Sequence, residues 1–123
     1  RAWQVSKAAV KAGFDWDDIQ GVIGTLKEEI REFETAFDSG TPREALVEMG
    51  DIFFTLVNVA RFAGIYPETA LCASTAKFEK RFRHLESILG RKGTALDSLE
   101  REEIDRLWEE AKKITPGSPH AGI

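Results

Sequence analysis

Apolar residues recur along most of this chain at intervals of three and four, the spacing that puts side chains on one face of an α-helix. The clearest run is Trp16, Ile19, Val22, Ile23, Leu26, Ile30, Phe33 and Phe37. It predicts a long helix from about Trp16 to Asp38, ended by Gly40. Ahead of it, residues 2–12 read as a first helix that stops near Gly13. The segment GFDW, Gly13 to Trp16, reads as a turn with Asp15 as the candidate N-cap. Thr41, Pro42 and Glu44 have the spacing of a capping box with proline in the first turn, which opens a third helix ending at Gly64. Pro67 starts a fourth, whose stripe is Leu71, Phe78, Phe82, Leu85 and Leu89, closed by Gly90 and Gly93. A last helix runs from about Leu99 to Ile114, with Asp97 and Glu100 repeating the capping spacing. No strand-like alternation of useful length interrupts this pattern. The expected fold is an all-α bundle of four to five helices. Residues 1–114 are expected to form one helical domain, and residues 115–123, with Pro116, Gly117 and Pro119, a flexible tail.

The third helix departs from simple amphipathicity. From Met49 to Ala63 the sequence is MGDIFFTLVNVARFA, and at about 100° per residue apolar side chains surround most of the helix. Such a helix is expected to be central and buried. Its polar exceptions, Glu48, Asp51, Thr55 and Asn58, fall on one narrow line about a quarter turn wide. The preceding helix carries its own acidic pair, Glu29 and Glu32, at the edge of its stripe, with Glu28 pointing further out. Residues three apart on a helix share a side. Helices joined by a short loop pack antiparallel, so the two pairs can face each other.

Converging carboxylates need relief. Two of them about 4 Å apart repel by roughly 4 kcal/mol at an effective dielectric of 20, and a domain's whole stability is about 5–15 kcal/mol. Protonation, a basic partner or a metal ion must compensate. Four oxygen donors between two helices suit a hard divalent cation such as magnesium, with manganese as a possible substitute. The remaining reading, two solvated surface pairs, fits poorly with an acidic line on an apolar helix.

Composition narrows the function classes. The chain has 123 residues, 42% hydrophobic and 31% charged, with a formal net charge of −4. That is ordinary for one soluble globular domain. An acidic balance argues against a general nucleic-acid binder, though a bound cation would let an acidic site take a nucleotide. The single cysteine, Cys72, excludes an intrachain disulfide and reads as a buried thiol, compatible with a reducing cytoplasm. No apolar run is long enough to span a membrane and no secretory signal opens the chain. The chain opens on Arg1 and its only methionine is Met49, so the start is expected to have been lost by processing or excision from a longer protein.

Basic and aromatic residues add candidates. Lys77 and Arg81 lie one turn apart on the fourth helix, with Ser74 on the same edge. They could clamp a polyphosphate or neutralise nearby acids. Trp108 and Lys112 repeat that spacing on the last helix, where the tryptophan could stack on a nucleobase or pack in the core. Trp3 and Trp16 are assigned to packing. Asn58 could bond a base or hold a carboxylate in place. His84 and His120 form no metal set, and no Glu-x-x-His motif of di-iron bundles is present.

Several segments together resemble the MazG family of all-α nucleoside triphosphate pyrophosphohydrolases. They are GFDW at Gly13 to Trp16, EEIRE at Glu28 to Glu32, EMGDIFFTLVNVARF at Glu48 to Phe62, KFEKRFRHLE at Lys77 to Glu86, and LWEEAK at Leu107 to Lys112. They span nearly the whole chain in the family's order. The carboxylate motif is shared by a wider superfamily, and the KFEKRF segment is more specific. Many MazG proteins have two related domains, and this chain resembles the C-terminal, catalytic one. The resemblance implies hydrolysis of NTPs or dNTPs to monophosphate and pyrophosphate with broad base preference, a magnesium requirement, and a homodimer or dimer of dimers formed through helices. It implies Glu29, Glu32, Glu48 and Asp51 as metal ligands, with Glu28 assisting. It implies Lys77 and Arg81 as phosphate contacts, and Trp108 and Lys112 as nucleotide contacts; Asn58 joins the substrate-binding candidates from its place on the polar line of the third helix. Thr75 stands where the family often has asparagine, which puts one polar contact near the phosphates in doubt.

The mechanism so implied has Glu32 or Glu29 orienting or deprotonating a water that attacks at the α–β linkage, releasing pyrophosphate. The rivals within this fold are a dUTP or dCTP pyrophosphatase and a phosphoribosyl-ATP pyrophosphohydrolase. Outside catalysis they are a helical interaction module and a metal-binding structural bundle. A nucleotide-pool enzyme of the cytoplasm, with neither membrane nor nucleic acid as partner, is the expectation.

Overall fold

A computed structural model describes residues 1–114. The expected disordered tail, residues 115–123, lies outside the described residues. Five α-helices and one 3-10 turn account for the architecture, and no strand occurs among the described residues. The all-α expectation therefore holds. No described helix is long and apolar enough to cross a membrane.

The elements are α1 (Ala2–Lys11), α2 (Ile19–Ser39), α3 (Pro42–Phe62), α4 (Pro67–Lys92) and α5 (Arg101–Ile114), with the 3-10 turn at Leu96–Ser98 before α5. The helix stops are those the glycines predict. At Gly64, φ is +73°, and the Ile65 amide bonds the Ala60 carbonyl at 2.9 Å while the Gly64 amide bonds that of Arg61 at 3.1 Å. This is a Schellman ending, which requires the left-handed conformation that a side chain disfavours. The same double bond ends α4 at Gly93, so α4 passes through Gly90 without stopping.

Two helix starts differ from expectation. Asp18, not Asp15, caps α2, its Oδ1 accepting from the Gly21 amide at 2.9 Å. The helix accordingly begins at Ile19, because Asp15 is drawn into an ion pair with Arg61. Thr41 caps α3 as expected, its hydroxyl accepting from the Glu44 amide at 3.2 Å. The Asp97–Glu100 signal yields the short 3-10 turn, and α5 starts only at Arg101.

The chain divides into two compact units, Arg1–Thr69 and Ala70–Ile123. In the first, α2 and α3 form an antiparallel hairpin across a short Gly40–Thr41 link, and α1 packs on α3. Val22 and Ala36 are its buried apolar side chains, and Trp3 meets Tyr66 edge-on at 5.3 Å. In the second, Leu85, Leu89 and Leu107 form the core, flanked by Phe82, Ile88, Leu96, Leu99 and Trp108. Cys72 is exposed rather than buried.

The expectation of a buried third helix is reversed. The fully buried side chains of α3 are the polar Thr55 and Asn58, while Leu46 and Phe53 are 72% and 63% exposed. On α2, Ile30 and Phe37 of the predicted stripe are exposed as well. The inner half of the polar line, Thr55 and Asn58, is thus buried, and large apolar side chains of the hairpin turn outward.

Candidate active site

Helix spacing brings the two acidic pairs together as α2 and α3 run antiparallel. Glu29 and Glu48 are half-buried, and Glu28, Glu32 and Asp51 are exposed. Burial, a hydrogen bond with Glu32, and the charges of Glu32, Asp51 and Glu29 all push the Glu48 carboxyl above its ordinary value. Glu29 Oε1 and Glu48 Oε2 are buried with no hydrogen-bond partner. Such orphaned oxygens are rare in folded proteins and costly without a donor or cation.

Glu29, Glu32 and Asp51 lie around Glu48 without closing into a cage. Among the described residues no three Asp, Glu, His or Cys side chains converge tightly enough to hold an ion. The donor set still fits a hard divalent cation: every donor is a carboxylate oxygen, and two of those oxygens lack a partner.

Beside this group opens a cleft of about 640 Å³, lined among others by Glu28, Arg31, Glu32, Thr35, Glu44 and Glu48. Arg31 and Glu44 are not in the sequence-derived set. The helical wheel carries the signal for Arg31, since residues 28, 31, 32 and 35 form one face of α2. Glu44 is brought in by the turn into α3, which spacing alone does not show.

A polar network fixes the inner end of the acidic line. Asn58, 2% exposed, accepts at Oδ1 from the Ser6 hydroxyl and from Arg61 at 3.0 Å. Its Nδ2 donates to the Phe54 carbonyl at 3.1 Å. Arg61 Nε also donates to Ser6 Oγ at 3.0 Å, and its two terminal nitrogens grip Asp15 at 3.0 and 2.6 Å. Trp16 of the same turn donates from Nε1 to Thr25 on α2 at 3.1 Å. The GFDW segment therefore pins α1, α2 and α3 to one another. Asn58 Oδ1 ties α1 to α3 as well, while its Nδ2 bonds within α3.

Replacing Arg61 by alanine leaves the buried Ser6 and Asn58 groups short of a partner, which is expected to cost about 1–3 kcal/mol. Asp15 is held below the usual carboxylate range, chiefly by its hydrogen bonds from Arg61. A depressed carboxylate adds stability above its unfolded pKa and loses it as pH falls through the folded value. Urea titrations across acid pH are expected to show that loss in the parent and not in Arg61→Ala. Equal acid sensitivity in both would contradict the assignment.

The remaining candidates lie in the second unit. Lys77 is half-buried and Arg81 is 1% exposed. Phe78 stacks on Phe82 and tilts against Trp108 at 5.2 Å. Trp108 is half-buried at the edge of the leucine core, so core packing accounts for part of it. Lys112 pairs with Glu109 at 3.0 Å.

No family model matches the chain. A Thermotoga maritima protein named nucleoside triphosphate pyrophosphohydrolase/pyrophosphatase MazG is 40% identical over 111 residues, 90% of this chain and 42% of that protein. An Escherichia coli K12 protein named nucleoside triphosphate pyrophosphohydrolase is 33% identical over 115 residues, 92% of this chain and 44% of that protein. The Bacillus subtilis uncharacterized protein YabN is 47% identical over 66 residues, 54% of this chain and 14% of that protein. The chain thus spans less than half the length of the curated relatives it matches.

Proposed function

We propose, from the premise that this chain is a MazG-like domain homologous to those pyrophosphohydrolases, that it hydrolyses nucleoside triphosphates to monophosphate and pyrophosphate. The observation that carries the reading is the pair of buried carboxylate oxygens on facing helices, Glu29 Oε1 and Glu48 Oε2, left without a hydrogen-bond partner beside an acid-lined cleft. Clustered like charge beside a cleft is the arrangement a functional site tolerates and a merely structural one avoids.

Glu29, Glu32, Glu48 and Asp51 would hold magnesium or manganese. When bound, the cation supplies positive charge that polarises a phosphoryl oxygen and acidifies water. Glu32 or Glu29 takes the proton of the attacking water. A new P–O bond forms at the α–β linkage, the bridging P–O bond breaks, and pyrophosphate leaves. Glu28 orients the water from the cleft wall. Lys77, Arg81, Trp108 and Lys112 are proposed as substrate contacts on the strength of the family resemblance. Broad base preference and a cytoplasmic nucleotide-cleansing role complete the proposal.

A second copy of the chain is the proposed partner. Phe37, Leu46 and Phe53 are mostly exposed on the α2–α3 hairpin. Contiguous apolar patches on soluble proteins mark contact surfaces. Helix pairing between copies would cover them.

The test is pyrophosphate release from a panel of NTPs and dNTPs, with and without magnesium. Release from several bases only when magnesium is present is expected. One accepted base would redirect the assignment to a specialised pyrophosphatase. No release from folded protein would overturn the enzymatic reading.

A further inference from the structure

Arg31 stands apart from its surroundings. It is the one cation among the residues lining the cleft, which otherwise presents Glu28, Glu32, Glu44 and Glu48. An arginine among four acids would ordinarily be held by one of them. Yet among the described residues no carboxylate lies within ion-pairing distance of its guanidinium, and no hydrogen bond ties that side chain down. Arg31 is also exposed, so core packing does not account for it. A free planar guanidinium on the wall of a cleft is suited to a phosphate, which it can grip with two parallel N–H bonds.

We infer that Arg31 is a further substrate-binding residue, its guanidinium contacting phosphate oxygens of the nucleotide beside Glu32 and Glu48. This rests on the pyrophosphohydrolase reading. A polyphosphate entering this cleft meets four acids and neutral residues, and Arg31 is the one positively charged side chain of the lining. The arginine therefore sets where the chain of phosphates lies. It does not transfer a proton, so its loss weakens binding more than turnover.

The test compares the parent chain with Arg31→Gln and Arg31→Lys. Steady-state kinetics with magnesium and an accepted triphosphate are measured beside calorimetric binding of inorganic tripolyphosphate. For Arg31→Gln, KM is expected to rise about tenfold, equal to about 1.4 kcal/mol, with kcat changed less than about threefold. Tripolyphosphate binding is expected to weaken by a similar factor. Arg31→Lys, which keeps the charge, is expected to recover part of both. The helical signal and melting temperature are expected to be unchanged, as suits an exposed side chain. A KM and a tripolyphosphate affinity in Arg31→Gln within about twofold of the parent would overturn the inference while leaving the enzymatic reading intact. A parent that hydrolyses no nucleotide yet binds tripolyphosphate through Arg31 would overturn the enzymatic reading alone. A parent that does neither would overturn both.

Discussion

Glu48→Gln is expected to abolish turnover and, at the same time, to raise the melting temperature of the protein measured without added divalent cation. The substitution keeps the shape of the side chain and removes its charge. In the parent, Glu48 sits against Glu32 with Glu29 and Asp51 close by, and burial adds to the strain on its ionised form. An amide donates where the carboxylate could only accept, so it can bond the facing oxygens that now repel it. Function is lost for the same reason that stability is gained. Removing groups that merely support a metal ligand costs about 10–100-fold, so removing a ligand is expected to lower kcat/KM by at least roughly a hundredfold. Calorimetric melts with and without magnesium provide the check. Magnesium is expected to stabilise the parent far more than the variant. An active variant, or one that melts below the parent in the absence of magnesium, would contradict the placement of Glu48 in an acidic site. Such opposition between activity and stability is the usual mark of a functional cluster.

Phe53→Asp is expected to halve the molecular mass observed in solution. Phe53 is 63% exposed, and Leu46, one heptad earlier on the same face of α3, is more exposed still. Phe37 on α2 adds a second large apolar side chain to the hairpin's outer surface. Fully burying a side chain of this kind contributes about 1.5–3 kcal/mol, and a copy-to-copy contact would bury each one twice. Aspartate forfeits that gain and places a charge where desolvation penalises it. Sedimentation equilibrium at several concentrations is the measurement. A parent that runs as a monomer throughout would remove the proposed dimer. A variant with undiminished mass would move the contact to another face.

The helices and their ends were legible in the sequence wherever the signal is local. Thr41 caps α3 and Gly64 ends it as their residue types predict. Capping and left-handed stops depend on a few neighbouring residues, so no distant contact is needed to recognise them. Asp15 was misread as a cap for the opposite reason. Its chemistry suits an N-cap equally well, but Arg61, far along the chain, takes it. The acidic pairs were legible as pairs, because residues three apart must share a side of a helix. Their distances across the hairpin were not, since the separation of side chains on different helices depends on how α2 and α3 pack.

Asn58 marks the boundary between the two kinds of information. Its position on the polar line of α3 follows from periodicity, whereas its partners Ser6 and Arg61 depend on how α1 packs. Arg31 shares a predictable face with Glu28, but the cleft in front of it exists only once the hairpin has formed. By itself the sequence determined the helical class, the Thr41 cap, the stop at Gly64 and the acidic line, because these follow from the period of the helix and the chemistry of single residues. Only the tertiary structure decided which side of α3 turns inward. Periodicity gives the relative angles of residues around a helix, but the direction of the core is chosen by the elements that pack against it.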